Sequence, residues 1–209
     1  MPSVIPVFPL AGALLLPSGQ LPLTIFEPRY LAMVDRALAG DRLIGMIQPR
    51  PGAKKAARPP LCAVGCAGRI TSIAETGDNR YALTLTGVAR YRPVAELEAN
   101  GEPFRRFEVD WSEFAADFAG QGGENEVDRA ALLAAFRAYL QANDLDANWE
   151  TVNEMSTDIL VNALSMLSPY GPAEKQALLE APDLKTRAAT LVAITEMSLA
   201  RAASPNAVQ

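Results

Sequence analysis

The chain of 209 residues is 49% hydrophobic and 21% charged, a globular composition that suits one or two domains. Its net charge of −5 argues against a general affinity for nucleic acid, whose phosphates demand a concentrated basic face. Histidine is absent, which removes the commonest general base, the Ser-His-Asp and Cys-His arrangements and most zinc enzymes. No Gly-x-x-x-x-Gly-Lys-Ser/Thr loop occurs, and no Gly-x-Gly-x-x-Gly follows a strand.

Residues 1–26 carry no charged side chain, so a leader or a membrane span has to be weighed first. Pro2, Pro6, Pro9, Pro17 and Pro22 would each cost about 3 kcal/mol inside a helix, and no Lys or Arg supplies a basic start. The expectation is therefore a cytoplasmic protein. Short β-type runs at 4–8, 43–48, 61–73, 80–88, 90–97 and 105–111 predict a small barrel or sandwich. Alternation is clearest in residues 81–86, where Tyr81, Leu83 and Leu85 share one face. Gly77-Asp78-Asn79 is a hairpin turn. One helix, 28–39, interrupts the strands, with Pro28 in its first turn, Gly40 as its cap and Leu31, Val34 and Leu38 facing the core.

The segment 50–60 holds the one basic cluster, Arg50, Lys54, Lys55 and Arg58, among Pro51, Gly52, Pro59 and Pro60. It reads as a loop, either solvated or a site for phosphate or peptide. Cys62 and Cys66 lie in a run that reads as a strand. Four residues of strand span about 13 Å, beyond the reach of a disulfide. Two thiols without histidine also fall short of a zinc site. No metal and no cofactor is expected.

Residues 114–124 contain Gly120, Gly122 and Gly123, and beyond them the apolar period changes from two to near 3.6. The expected organisation is a β-rich subdomain 1–113, a linker 114–124 and an α-helical subdomain 125–209. Helices are predicted at 124–142, with Val127, Ala130, Leu133, Phe136 and Leu140 on one stripe, and at 152–167, with Met155, Ile159, Leu160, Ala163, Leu164 and Leu167. Residues 168–172 break the pattern. Two more helices follow at 173–180 and 183–202, the last with Asp183 as a candidate N-cap. Residues 204–209 look frayed.

Carboxylates such as Glu75 with Asp78, Glu96 with Glu98, and Asp117 leave open a hydrolase that works with paired acids. A second reading starts from Phe8, Leu10, Leu14, Leu16 and Leu21, more apolar groups than one proline-broken strand buries easily. They form either an exposed protein-binding patch or a core layer beneath the helix that begins at Pro28. Glu27 and Arg29 flank Pro28 and either clamp the strand-to-helix turn or meet a ligand; the Glu27 carboxylate can face free backbone amides there. Tyr30 is either a groove wall or packing.

Ile5-Pro6-Val7-Phe8-Pro9-Leu10, then Leu21-Pro22-Leu23 and Ile25-Phe26-Glu27-Pro28-Arg29-Tyr30, form a pattern that resembles the N-terminal substrate-binding domain of Lon-type ATP-dependent proteases (peptidase La), especially its stand-alone bacterial copies. Gly65, Gly68, Arg69 and Ile70, followed by Gly87, Val88, Arg90 and Tyr91, are similar to that family's central hairpin. The likeness covers about residues 4–111. The helical part matches in architecture more than in residues.

The resemblance implies an α+β fold: an N-terminal β-rich PUA-like pseudobarrel with one helix, followed by a C-terminal helical bundle. It implies a non-catalytic module that binds exposed apolar segments of proteins, as an adaptor or quality-control accessory. Its partners would be protein or unfolded peptide segments and a separate protease, with oligomers allowed, and neither membrane nor nucleic acid. ATPase and Ser-Lys peptidase residues of the full proteases have no counterpart here. The alternatives are the paired-carboxylate hydrolase and a PUA-like binder of RNA or a small molecule.

Overall fold

A computed structural model describes residues 1–50, 52, 58–120 and 122–203. The chain divides into two compact units, Met1–Gly120 with Pro169–Leu179, and Gln121–Ser168 with Glu180–Gln209. The first crossing between them falls in the glycine run, where Gly120 and Gly123 take φ of 86° and 91°, values that favour glycine. This differs from two contiguous halves in two ways. Residues 114–119, expected as linker, belong to a 3-10 segment, Ser112–Ala119, because Phe114 and Asp117 are buried in the first unit. Residues 169–179, expected in the helical subdomain, also return to the first unit.

In the first unit six strands form one sheet: β1 Val4–Pro9, β2 Gln20–Ile25, β3 Leu43–Ile47, β4 Gly65–Glu75, β5 Tyr81–Glu96 and β6 Arg105–Asp110. Their order is β2-β5-β4-β3-β1-β6, and β6 pairs again with β5. The ring β5-β4-β3-β1-β6 therefore closes, while β2 stands outside it on the first half of β5. Among the described residues, only β1 with β3 is a parallel pair. Closure removes most free edges; among the described residues β2 keeps one, and so does β4 beyond Ile70, where its pairing with β3 has ended.

The strand β2 is absent from the sequence-based strand set because Pro22 interrupts its alternation; as an edge strand it tolerates a proline. The runs 80–88 and 90–97 are one strand, β5, with no break at Ala89. The glycine there has another cause: a Cβ on Gly87 would lie 2.0 Å from the Leu16 carbonyl oxygen, so residues 14–17 can cross β5 only at a glycine. Leu61, expected to start β4, makes an isolated bridge with Pro49 instead. The turn at 77–79 forms as expected, with φ of 80°, 49° and 57° at Gly77, Asp78 and Asn79.

A core of Ile5, Val7, Ile47, Leu61, Ala67, Tyr91, Phe107 and Val109 fills the ring, with Trp111 against it. Tyr91 is fully buried, and burial pushes its phenol well above the usual value of 10.0. Cys62 and Cys66 are buried and are not joined in a disulfide. Helix α1, Pro28–Leu38, buries Tyr30, Leu31, Met33, Val34 and Ala37, with Pro28 at its start; Leu38 is only partly buried. Gly40 is not the left-handed cap. Ala39 closes the helix in right-handed geometry, and the positive φ of 58° falls on Arg42, whose N–H bonds back to the Ala37 carbonyl at 2.9 Å.

The second unit contains α2 Arg129–Ala142, α3 Trp149–Glu154, α4 Thr157–Leu167 and α6 Leu184–Ala203. Helix α5, Pro172–Glu180, lies almost wholly in the first unit. The core face of α2 is Leu132, Ala135 and Leu140, with Ala130 exposed and Leu133 and Phe136 half-buried, so the predicted stripe is rotated. The predicted helix 152–167 is two helices, because Met155 and Ser156 are extended. Polar groups satisfy the break: Glu124 accepts the Thr157 N–H at 3.0 Å, and Arg129 donates to the Val152 carbonyl at 3.0 Å. The core face of α4 holds Leu160 and Val161, which leaves Ile159 and Leu167 at 51% and 82% exposure, against the expectation of core. Asp183 caps α6, accepting from the Thr186 N–H at 2.7 Å. Residues 204–209 lie outside the described residues.

Candidate functional site

Strand β2, the start of α1 and the neighbouring parts of β1, β4 and β5 bring most of the marked residues together. Pro28 has no N–H and a fixed φ, so the chain turns from β2 into α1 there. The Glu27 carbonyl accepts from the N–H groups of Tyr30 and Leu31 at 2.9 and 3.0 Å. Its carboxylate, expected near free amides, makes no cap hydrogen bond. It instead accepts from Arg29 Nε at 2.9 Å. Both side chains are nearly half exposed, so this pair contributes about 0–1 kcal/mol.

The Arg29 guanidinium lies 4.5 Å from the centre of the Tyr30 ring, and Tyr30 packs on Phe8 with ring centres 4.3 Å apart. Glu27, Arg29, Tyr30 and Phe8 thus run from solvent into the core. Burial raises the Tyr30 phenol above its usual value, and Glu27 adds to the rise while Arg29 and Arg105 oppose it.

Phe8, Leu14 and Leu16 are buried, at 7%, 2% and 0% exposure, and so cannot touch a partner on this surface. Leu15 explains why: its methyl stands 2.7 Å from where a Cβ on Gly68 would be, so residues 14–16 plug the sheet. Leu10 and Leu21 are half-buried. What the surface does offer is Phe26, 61% exposed, with the Arg80 guanidinium 6.0 Å from its ring. Beside it a shallow depression of about 390 Å³ runs across Pro22, Leu23, Thr24, Ile73, Ala82 and Thr84. Phe26, Pro22 and Leu23 belong to the family-like pattern, yet sequence reading did not single them out as contacts. A proline inside an alternating run was the available signal of an edge strand.

The second candidate region divides. Arg50 Nε donates to the Leu61 carbonyl at 3.0 Å, and Arg58 pairs with Glu96 at 3.6 Å. Lys54 and Lys55 lie outside the described residues. Several carboxylates are ion-paired or hydrogen-bonded in their charged form. Glu96 is held below the usual carboxylate range by Arg105, Asp110 and Glu113 are lowered by hydrogen bonds from Ser112 and Arg92 respectively, and Asp183 by Thr186. For Glu96 this is the opposite of the shift that a general acid needs. Among the described residues, no group of three or more His, Cys, Asp or Glu could hold a metal ion, and no helix is long and apolar enough to cross a membrane.

The fold is that of Lon N-terminal domains. The Lon N-terminal domain protein from Xanthomonas campestris superposes with a TM-score of 0.64 at 23% identity, over 91% of this chain and 97% of that one. The N-terminal domain of Mycobacterium avium complex Lon protease superposes at 0.61 and 19% identity, over 92% and 98%. The profile of the ATP-dependent protease La (LON) substrate-binding domain matches residues 4–196, and the chain belongs to that family. Among curated relatives, Lon protease 2 of Myxococcus xanthus is 28% identical and Lon protease of Desulfosudis oleivorans 24%, each over 90% of this chain. The chain spans 23% of the length of either.

Proposed function

We propose that this chain is a protein-binding module that holds exposed apolar segments of other proteins, as an adaptor or quality-control accessory for a separate protease. The observation that carries the reading is the surface at β2 and the start of α1: a family named for substrate binding here presents a largely exposed Phe26 at the end of β2, a strand on which Leu21 and Leu23 are half-buried. Glu27 and Arg29 form the polar rim of that surface, and Tyr30 its floor. Phe8 packs beneath Tyr30, Leu14 and Leu16 belong to the core, and Leu10 is half-buried. Exposed apolar groups with a polar rim suit a protein partner. The ring of β1, β3, β4, β5 and β6 supports a PUA-like pseudobarrel as the scaffold.

A permanently unfolded protein, reduced and carboxymethylated and carrying a fluorophore, tests the reading by anisotropy. Binding at micromolar concentration is expected, with the native form of the same protein not bound. Phe26→Ser should weaken binding and leave the melting temperature within about a degree, because exposed positions contribute little to stability. Equal binding of both forms, or of neither, would refute the proposal.

A further inference from the structure

We infer that the free edge of β2 is where such a segment docks, as an added antiparallel strand; the inference rests on the protein-binding reading above and names its site and the form of its ligand. The bonding phase of β2 follows from its neighbours. Gly87 donates to the Gly19 carbonyl at 2.8 Å and accepts from the Ser18 N–H at 2.9 Å. The register then runs in two-residue steps through Leu21 with Leu85, Leu23 with Leu83 and Ile25 with Tyr81. These residues exchange their backbone bonds with β5. Gln20, Pro22 and Thr24 turn the other way, which is the only phase that a proline at 22 allows.

On that outer side no strand lies among the described residues, since β2 ends the sheet. Gln20, Pro22 and Thr24 are exposed. The edge therefore offers carbonyls at all three positions and N–H groups at 20 and 24. An unpaired row of this kind is a template for another extended chain.

Pro22 decides which chain. Two copies of this protein that paired through β2 about a two-fold axis would use Pro22 twice, once on each side. Any register that includes it would lose two bonds and leave two carbonyls facing no donor. A foreign strand meets Pro22 once and loses one bond. The edge thus discriminates against its own copy and admits an extended segment of another protein. In the antiparallel register, residues opposite Gln20, Pro22 and Thr24 point to the side of the hydroxyls of Thr24, Thr84 and Thr86, and the residues between them lie beside Leu21 and Leu23. The ligand is a β-prone segment in which apolar and small polar residues alternate.

The probe is a short peptide of alternating valine and threonine, titrated against the full chain together with the unfolded protein. Three changes are compared: N-methylation of the peptide at its threonines, N-methylation at its valines, and Thr24→Pro in the protein, with Thr24→Ala as the control. N-methylation at threonine should weaken peptide binding about tenfold or more, the loss of roughly one or two hydrogen bonds, and at valine should not. Thr24→Pro should weaken peptide and unfolded protein alike, and by several-fold more than Thr24→Ala, which loses the hydroxyl but keeps the backbone N–H. If Thr24→Pro fails to fold, the two peptides decide alone. Equal effects from both methylation patterns, or retained binding by a folded Thr24→Pro variant, overturn the edge while the unfolded protein's binding to the wild type keeps the broader function. A dimer of the wild type that Thr24→Pro dissolves would assign the edge to a second copy and overturn the inference.

Discussion

Arg90 and Asp117 form a buried, two-pronged ion pair in the first unit: Nε and Nη2 of Arg90 each donate to a different carboxylate oxygen of Asp117 at 2.9 Å. The Arg90 backbone N–H adds a third bond to Asp117 at 2.9 Å, and Nη1 reaches the Leu179 carbonyl at 3.3 Å. The guanidinium also lies 4.6 Å from the centre of the Phe114 ring. A residue of strand β5 therefore fastens the 3-10 segment at 112–119 and the end of helix α5 to the closed sheet. The motif residue Arg90 is structural.

Removing one partner of such a pair leaves the other charge buried and uncompensated, which costs about 3–5 kcal/mol. Arg90→Ala and Asp117→Ala should each lower the unfolding free energy by that amount, read as a lower denaturation midpoint at unchanged slope. Arg90→Lys should recover little, because an ammonium cannot reproduce the planar fork. Replacing both by apolar residues of similar volume should cost much less than either single change, and a double-mutant cycle in urea measures the difference.

Tyr91 sits across Gly45 and Gly65. A Cβ on Gly45 would stand 2.6 Å from the Tyr91 hydroxyl and 2.8 Å from an Ile5 methyl, whereas one on Gly65 would also stand 2.6 Å from the Met46 carbonyl. Gly45→Ala should therefore destabilise by about 1–3 kcal/mol, and Tyr91→Phe in the same chain should restore part of it, since only side chains obstruct. Gly65→Ala should gain nothing from Tyr91→Phe, because backbone obstructs as well. Thermal melts of the four variants check both statements.

These relationships mark the limit of what the sequence disclosed. The alternating run at 81–86 and the turn at 77–79 were legible because strand period and turn residues are local properties. The plug at 14–16 was legible only as an alternative. Whether three leucines surface depends on Gly68 and Gly87, more than fifty residues away, leaving room for them. The stripe on α4 misled through Ile159 and Leu167, as an apolar period does not say which of two apolar faces meets the core. The candidate surface was seen in part. Glu27, Arg29 and Tyr30 were marked, but Phe26 and the edge position of Pro22 appear only once β5 supplies a single neighbour for β2.

Stability should fall at both ends of the pH scale. Glu96, hydrogen-bonded by Arg105, and Asp183, hydrogen-bonded by Thr186, have carboxyls lowered from 4.5 and 3.8. A lowered carboxyl contributes stability that is present above its unfolded value and lost as pH falls through the folded one, so the loss begins below about pH 4.5. Tyr91 is raised from 10.0 by burial. Its contribution is complete below that value and declines as pH rises above it, because the unfolded chain ionises first. Tyr91→Phe should flatten the alkaline limb and leave the acid limb in place, and Asp183→Ala should lower neutral-pH stability by about 1 kcal/mol, the usual worth of such a cap. Urea midpoints between pH 3 and 11 give both.

Gln176 ties α5 to the sheet within the first unit. Its Nε2 donates to the Val64 carbonyl at 3.1 Å, and its Oε1 accepts from Gln48 Nε2 at 3.2 Å. Gln48 in turn donates to the Pro172 carbonyl at 2.9 Å and accepts from the Gly12 N–H at 2.9 Å. Both glutamines are buried, so each amide depends on the other for satisfaction. Gln176→Leu keeps the volume but leaves the Val64 carbonyl without its amide donor and deprives Gln48 of an acceptor, at about 1–3 kcal/mol for each group. Residues 1–120 made alone lose Pro172, Gln176 and the Leu179 carbonyl together, and with them partners for Gln48, Val64 and Arg90. That fragment should therefore lack a cooperative melt and a dispersed amide spectrum, while adding the peptide 169–179 in excess should restore part of the dispersion. A fragment that melts as sharply as the full chain would show that the sheet closes without α5.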